Sequence, residues 1–269
     1  MIQNLSRHAI AYLLACLLLV TWTGCKREAP KDTTSAPSVT QPDPDELERR
    51  LSGLEDNLRD SLPGHTIPGI YRTLCAAQGR HDRAIGFLEE LVHAHPDDQH
   101  LRIEYANAFI DKIPTCSGVT AVLCRGNLAS KSLDQLDIVI VKHPDLWVAL
   151  YCRGMNHLHW PKVLRHSDDA VADFKRCIDL QKRTGSGNER PYYLRTHVAL
   201  GDAYTKAGHP DEARKAWGEG LKLFPGAKEL NQRLAIDDDD RLLDTVQSKR
   251  SLDQGIDTDV SFVDHKGEG

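Results

Sequence analysis

The sequence has no excess of basic charge. Its 34 lysines and arginines are outnumbered by 39 aspartates and glutamates, so the net charge is -5 at pH 7. A protein that neutralises many nucleic-acid phosphates needs a broad basic surface. We therefore expect no nucleic-acid partner.

The motifs that mark common catalytic and metal centres are also missing. The sequence contains no His-Glu-x-x-His, no paired Cys-x-x-Cys, no Cys-x-x-Cys-His, no G-x-S-x-G, no Walker A and no dinucleotide glycine pattern. His93, His95 and His100 surround a turn, but His93 and His95 point about 200° apart on a helix. We interpret these histidines, together with His157 and His159, as solvated. The sequence predicts no catalytic residue, metal site, cofactor or small-molecule substrate.

The first hydrophobic run is too short for a permanent transmembrane helix. It extends over residues 9–20 and follows a polar start that carries Arg7. A charged start and a short apolar core are typical of a signal peptide. We expect residues 1–24 to be removed.

Small residues come directly before a cysteine at the end of this run. Thr23-Gly24-Cys25 resembles the lipobox of bacterial lipoproteins, although Trp22 stands where that family usually has Leu. The resemblance implies that Cys25 is acylated and anchors the protein to a membrane. Lys26, and not Asp, follows Cys25. In lipoproteins of this kind such a residue is typical of sorting to the outer membrane, where the protein would face the periplasm. The alternative is an ordinary secretory signal with an incidental cysteine.

Five cysteines remain if Cys16 is removed and Cys25 carries lipid: Cys75, Cys116, Cys124, Cys152 and Cys177. The number is odd, so at least one thiol stays free or pairs between molecules. In an oxidising compartment we expect a disulfide between Cys116 and Cys124, because it would restrain an insert with little apolar content. Cys177 is interpreted as a buried thiol, with a bridge to Cys152 as the alternative.

Two segments precede the main domain. Residues 25–44 are rich in Pro, Ser, Thr and charge, a composition typical of a disordered tether. Residues 45–62 are predicted to form a helix with one apolar stripe. The stripe consists of Leu47, Leu51, Leu54, Leu58 and Leu62.

Residues 194–227 resemble a tetratricopeptide repeat, a hairpin of two helices. The matching positions are Leu200, Gly201, Tyr204, Gly208, Ala213, Trp217 and Pro225. The same pattern recurs upstream, and two of the copies carry insertions, one of them at residues 112–127. The resemblance implies an all-α solenoid of about four hairpins over residues 63–227. Residues 228–250 are predicted to form a capping helix and residues 251–269 an extended or disordered tail.

In the family, the first helix of each hairpin lines a concave groove that binds a protein or peptide. The corresponding positions here are Thr73, Asn107, Tyr151, Met155, His159, Arg195, Val198, Asp202 and Lys206. They lack the basic clamp with which related co-chaperones hold a terminal carboxylate. Tyr151 and Met155 offer an apolar anchor, and the charged positions offer specificity.

The resemblance to lipid-anchored repeat proteins implies a function. We expect a non-enzymatic adaptor or assembly factor in the bacterial envelope that binds an envelope protein or peptide in its groove. One alternative is a redox or metal-handling periplasmic protein that uses its Cys and His residues. Others are a non-catalytic regulator of a cell-wall enzyme and an enzyme whose catalytic groups lie in the inserts.

Overall fold

The computed structural model describes residues 44–60, 66–185, 187–188 and 190–259. These residues form α-helices and short 3-10 turns without any β-strand, so the all-α prediction is confirmed. None of the described helices is long and apolar enough to cross a membrane. The predicted signal peptide, Cys25 and the tether up to residue 43 lie outside the described residues.

Eleven α-helices occur in the described part of the chain. They are α1 (Pro44–Asp60), α2 (Thr66–Ala77), α3 (His81–Ala94), α4 (Gln99–Lys112), α5 (Ala121–Lys142), α6 (Trp147–His159), α7 (His166–Thr184), α8 (Tyr193–Ala207), α9 (Pro210–Leu223), α10 (Lys228–Leu234) and α11 (Asp239–Lys249). Short 3-10 helices occupy Ile113–Thr115, Gly118–Thr120 and Lys162–Leu164.

Helices α2 to α9 pair as four consecutive hairpins, and each helix packs against its neighbours in sequence. Small residues make this packing possible. A Cβ atom on Gly201 would lie 2.1 Å from Nε1 of Trp217, and one on Gly154 would lie 2.8 Å from the Phe174 ring. The turn at Gly208 has a φ of 91°, which favours glycine. The predicted helical-hairpin solenoid is confirmed.

The helix before the solenoid buries the stripe that its leucines form. Leu51 and Leu58 are fully buried and Leu54 is partly buried, in a cluster that includes Tyr71 and Leu88 of the first hairpin. This burial explains why a helix with a strongly polar opposite face is stable here. Leu62 lies outside the described residues.

The insert of the second hairpin is more ordered than the sequence suggests. Helix α5 already begins at Ala121, so Cys124 lies in its first turns, and a disulfide joins Cys116 to Cys124. Ile113 is fully buried and attaches the start of the insert to the core. The insert is therefore attached by one buried apolar residue at its start and by the disulfide.

The region after the last hairpin contains two helices where the sequence predicts one. Helix α10 ends at Leu234, and Asp238 starts α11 by accepting a hydrogen bond from the backbone NH of Arg241 at 2.7 Å. A carboxylate at this position stabilises a helix start, so the acidic run favours a break. Helix α11 then packs against α8.

Candidate functional site

The chain's own C-terminal segment lies against the first helices of three hairpins. This segment, Ser251–Asp259, contains no helix or strand. Its Ile256 and Thr258 are buried, whereas Asp257 is exposed. It contacts α2, α6 and α8 through the polar interactions described next. The sequence predicts an extended or disordered tail, and the described part is non-helical but partly buried.

Two arginines hold the acidic residues of the C-terminal segment. Arg195 of α8 forms an ion pair with Asp257 at 3.1 Å, and its Nη1 also donates to the backbone carbonyl of Asp259 at 3.2 Å. Arg72 of α2 donates from Nη2 to the Asp259 carboxylate. The two arginines therefore bind two aspartates that are separated by one residue.

Arg72 is fully buried and also has partners within the solenoid. Its Nε donates to Oε2 of Glu104 at 2.7 Å, and its Nη1 donates to Asp111. Burial alone would lower the pKa of Arg72, but the three carboxylates together raise it. Because Glu104 and Asp111 belong to α4, the guanidinium remains paired whether or not Asp259 is bound.

A thiol lies beneath the middle of the C-terminal segment. The Sγ of Cys152 on α6 donates to the Thr258 carbonyl at 3.7 Å, and Asn107 is buried beside it. Burial raises the pKa of Cys152 to about 12, so this thiol is protonated at neutral pH. Cys75 and Cys177 are also free and buried. The alternative bridge between Cys152 and Cys177 is therefore not formed.

Helix α11 is attached to α8 through buried charges. Asp202 is fully buried, and its carboxylate accepts from Arg233 at 2.5 Å and from Arg250 at 2.8 Å. Burial opposes ionisation, but Arg250 and Arg233 lower the pKa of Asp202. The end of α11 is thereby fixed independently of the segment that follows it.

Lys206 of α8 connects the end of α6 to the residue that follows α11. Its Nζ donates to the carbonyls of Leu158, Trp160 and Arg250 at 2.7, 2.7 and 2.8 Å. Burial and the cationic Arg250 lower the pKa of Lys206 to about 8, and the negative charge of Asp202 opposes this shift. All three hydrogen bonds of the buried ammonium group are therefore made within the protein, so the group is not available to a ligand.

Most of the groove positions taken from the family pattern are covered. The buried ones are Asn107, Tyr151, Met155, His159, Val198, Asp202 and Lys206, whereas Arg195 is partly exposed. They are covered because α11 and the C-terminal segment pack over this face. A cavity of about 280 Å³ remains, with Tyr151, Met155, Arg195 and Val198 in its lining.

Thr73 lies apart from the other groove positions. Its Oγ1 donates to the Gly69 carbonyl at 2.9 Å within its own helix. It lines a depression between α1 and α2 together with Leu54 and Ile70. The structure therefore does not bring Thr73 to the surface that contacts the C-terminal segment.

Two of the five histidines interpreted as solvated are not on the solvated surface: His159 is buried and His157 is partly buried. His159 is buried, with Nδ1 2.7 Å from the Met155 carbonyl, and burial lowers its pKa to about 3. His157 lies 2.9 Å from His166, measured between their Nδ1 atoms, and burial lowers the pKa of His157 to about 4. A carboxylate oxygen of Asp169 lies within 4.8 Å of a ring nitrogen of each histidine. Sequence reasoning missed His166 and Asp169, whose only signal is their spacing of three residues on one helix.

Exposed aliphatic side chains are concentrated at the two inserts. Val119, Val122 and Leu123 belong to the first insert, and Val163 and Leu164 belong to the second. Val122 and Pro161 line one surface cavity, so the inserts adjoin each other there. An experiment on partner binding must therefore distinguish this exposed apolar surface from the groove.

Comparison with known proteins agrees with the fold. The profile of the tetratricopeptide repeat family matches residues 194–237. A thermophilic TPR protein of Thermus thermophilus is similar in structure, with a TM-score of 0.50 and 17% identity over 71% of this chain and 90% of that one. A tetratricopeptide repeat protein from Parabacteroides merdae has a TM-score of 0.49 and 15% identity over 76% and 68% of the two chains. No curated protein matches the chain.

The family profile falls on α8 to α10, the hairpin whose glycine and tryptophan pack most closely. The preceding hairpins repeat the same architecture. The fold is of a kind that serves generally as a scaffold for protein interactions. Residues 194–237 match the tetratricopeptide repeat family, and the chain has the helical-hairpin fold of a solved tetratricopeptide repeat protein.

Proposed function

We propose that the protein is a lipid-anchored adaptor of the bacterial envelope whose concave groove binds a non-helical, acidic segment of a partner protein. The signal-like N-terminus and the lipobox-like Cys25 support the location and the anchor. The repeat fold supports protein binding as the general function.

The position of the C-terminal segment carries the proposal of an acidic ligand. Ile256 is buried in the same apolar cluster as Tyr151 and Met155. Asp257 and Asp259 meet Arg195 and Arg72 at the groove's edge and base. A partner that presents an apolar residue followed by acidic residues one and three positions later would make the same contacts.

The C-terminal segment is suited to exchange with such a partner. The carboxylates of Asp257 and Asp259 are about half exposed, and the exposed pair of Asp257 with Arg195 contributes roughly 0–1 kcal/mol. Departure of the segment leaves Arg72 paired with α4 and leaves α11 attached through Asp202. The segment therefore competes with a partner for the groove, and the competition lowers the partner's apparent affinity.

The test uses a peptide with the sequence of residues 251–260 and the full chain carrying Asp257→Asn and Asp259→Asn. This double variant weakens the internal ligand without altering the groove. We expect the peptide to bind the variant at least about tenfold more tightly than the unchanged chain, because more of the groove is free. A peptide with Asp257 and Asp259 replaced by asparagine is the matched control and should bind weakly.

Adding Arg195→Glu to the double variant completes the test. Charge reversal should abolish peptide binding while the circular dichroism spectrum stays helical. If the peptide fails to bind the double variant, or binds equally well after Arg195→Glu, the groove proposal is wrong. Crosslinking in envelope membranes, with Cys25→Ser beside the unchanged chain, then tests the anchor, and Leu123→Ser tests the surface of the inserts.

A further inference from the structure

We propose that His157, His166 and Asp169 form a binding site for a divalent transition-metal ion such as Zn²⁺. The site is separate from the groove interactions and does not depend on the proposed function. Two imidazoles and one carboxylate are a ligand set that suits zinc, copper or nickel.

The three ligands come from two helices that the second insert brings together. His157 lies near the end of α6, and His166 and Asp169 lie on the first turn of α7. Residues three apart on a helix share one face, so His166 and Asp169 can act on one ion. The insert that separates the two helices therefore places the histidines side by side.

The spacing of the two rings is close to that of a metal-bound pair. Their Nδ1 atoms are 2.9 Å apart, whereas two nitrogens bound to a tetrahedral zinc ion at 2.0–2.1 Å would be about 3.3 Å apart. The rings must therefore separate by about 0.4 Å. Asp169 is exposed, so its carboxylate can approach, and three protein ligands leave a fourth position for water.

One ring is held in place by a stacked tryptophan. Trp160 stacks on His166 with ring centroids 4.4 Å apart and an interplanar angle of 11°. The indole Nε1 donates to Oδ1 of Asn156, whose Nδ2 donates to the Ala129 carbonyl on α5. Outer contacts of this kind orient a metal ligand and reduce the cost of ordering it.

The present hydrogen bond between the rings is compatible with metal entry. Two neutral imidazoles that share a bond between Nδ1 atoms have the proton on Nδ1 in one ring and on Nε2 in the other. Metal binding requires both Nδ1 lone pairs, so the donor ring must move its proton to Nε2. At neutral pH this exchange changes the tautomer and releases no net proton.

Metal binding is tested by titrating the purified, untagged full chain with Zn²⁺ in a calorimeter and with Co²⁺ by visible absorption. Three chains are compared: the unchanged chain, His166→Gln, and His209→Gln, which alters an exposed histidine in the turn before α9. We expect one saturable site in the unchanged chain and in His209→Gln. His166→Gln should weaken it at least about tenfold, since even the loss of an outer contact costs about 10- to 100-fold.

The Co²⁺ spectrum and Asp169→Asn provide independent checks. A site with two nitrogens and one oxygen should give a visible absorption band that disappears in His166→Gln, while helicity remains unchanged. Asp169→Asn should also weaken binding and leave the two histidines in place. Absence of saturable binding in the unchanged chain, or equal affinity in His166→Gln, would overturn the proposal and leave a hydrogen-bonded histidine pair.

Discussion

Arg195 and Asp257 form an ion pair at 3.1 Å although 62 residues separate them in the chain. The pair fastens the C-terminal segment to α8. A ligand of the groove must therefore compete with a segment that is permanently tethered nearby. Tethering gives that competitor a high effective concentration even when each of its contacts is weak.

Replacing Asp257 and Asp259 by asparagine should release the C-terminal segment without unfolding the solenoid. Backbone amides of residues 252–258 should exchange with deuterium faster, because partly exposed ion pairs hold the segment in place. The free energy of unfolding should fall by about 2 kcal/mol or less, because both carboxylates are about half exposed and Arg72 stays paired with Glu104 and Asp111.

Asp253→Asn is the matched control for this release. Asp253 lies in the same segment but is exposed and accepts its hydrogen bond from the nearby Ser251. The control should leave the exchange rates of residues 256–258 unchanged. Equal acceleration in both variants would show that the arginines do not hold the segment.

Gly201→Ala should strongly destabilise the last hairpin. The added Cβ would overlap the buried indole of Trp217, which also donates to the Val198 carbonyl at 3.1 Å. Overpacking of this kind costs about 1–3 kcal/mol and sometimes more. Urea unfolding followed by circular dichroism measures the loss.

Gly218→Ala on α9 is the control for this change. Nothing lies within 4 Å of the position that its Cβ would occupy. Because alanine favours a helix over glycine by about 1 kcal/mol, the control should be neutral or stabilising. Similar destabilisation in both variants would contradict the close contact between α8 and α9.

The solenoid could be predicted from sequence because its determinants are local. Gly201, Gly208 and Ala213 lie within one hairpin, where their spacing reflects helix contact and turn geometry. The position of the C-terminal segment depends instead on tertiary pairs, and Arg72 and Asp259 are 187 residues apart. A short non-periodic tail carries no signal for such a distant contact. The burial of the groove positions was missed for the same reason.

The histidine cluster was missed for a different physical reason. His157 and His166 are nine residues apart and belong to different helices, so no single helical face contains both. Their approach depends on the length and path of the insert. The break between α10 and α11 was missed because a capping aspartate and a solvated acidic residue look alike in the sequence.

Reduction of the disulfide should loosen the first insert. The bond between Cys116 and Cys124 closes a short segment with a sequence separation of 8 residues. Loss of such a crosslink costs about 2–3 kcal/mol through the greater freedom of the unfolded chain. Thermal unfolding with and without dithiothreitol measures the effect.

A chain carrying Cys116→Ser and Cys124→Ser provides the control for reduction. It should unfold at the lower temperature of the reduced protein and show no response to dithiothreitol. The three buried thiols should remain unmodified by an alkylating reagent in the folded state. A response of the double variant to dithiothreitol would assign the effect to another part of the chain.

The buried His159 should make the protein less stable in acid. Burial, with Arg250 and Lys206 nearby, lowers its pKa to about 3, whereas an unfolded histidine has a pKa of about 6.5. Below pH 6.5 the unfolded chain binds a proton that the folded chain excludes, so stability is full above this pH and falls as the pH decreases. Between pH 7 and 5 the loss is about 2 kcal/mol for this group.

His159→Gln removes this titration and should reduce the pH dependence, leaving the part that His157 contributes, although it lowers stability at pH 7 by disturbing the contact with the Met155 carbonyl. The free energy of unfolding is measured in urea at pH 7, 6 and 5 for the unchanged chain, His159→Gln and His209→Gln. His209 is exposed, so its replacement should leave the slope between pH 7 and 5 unchanged. An equal slope in the unchanged chain and His159→Gln would show that another group causes the acid sensitivity.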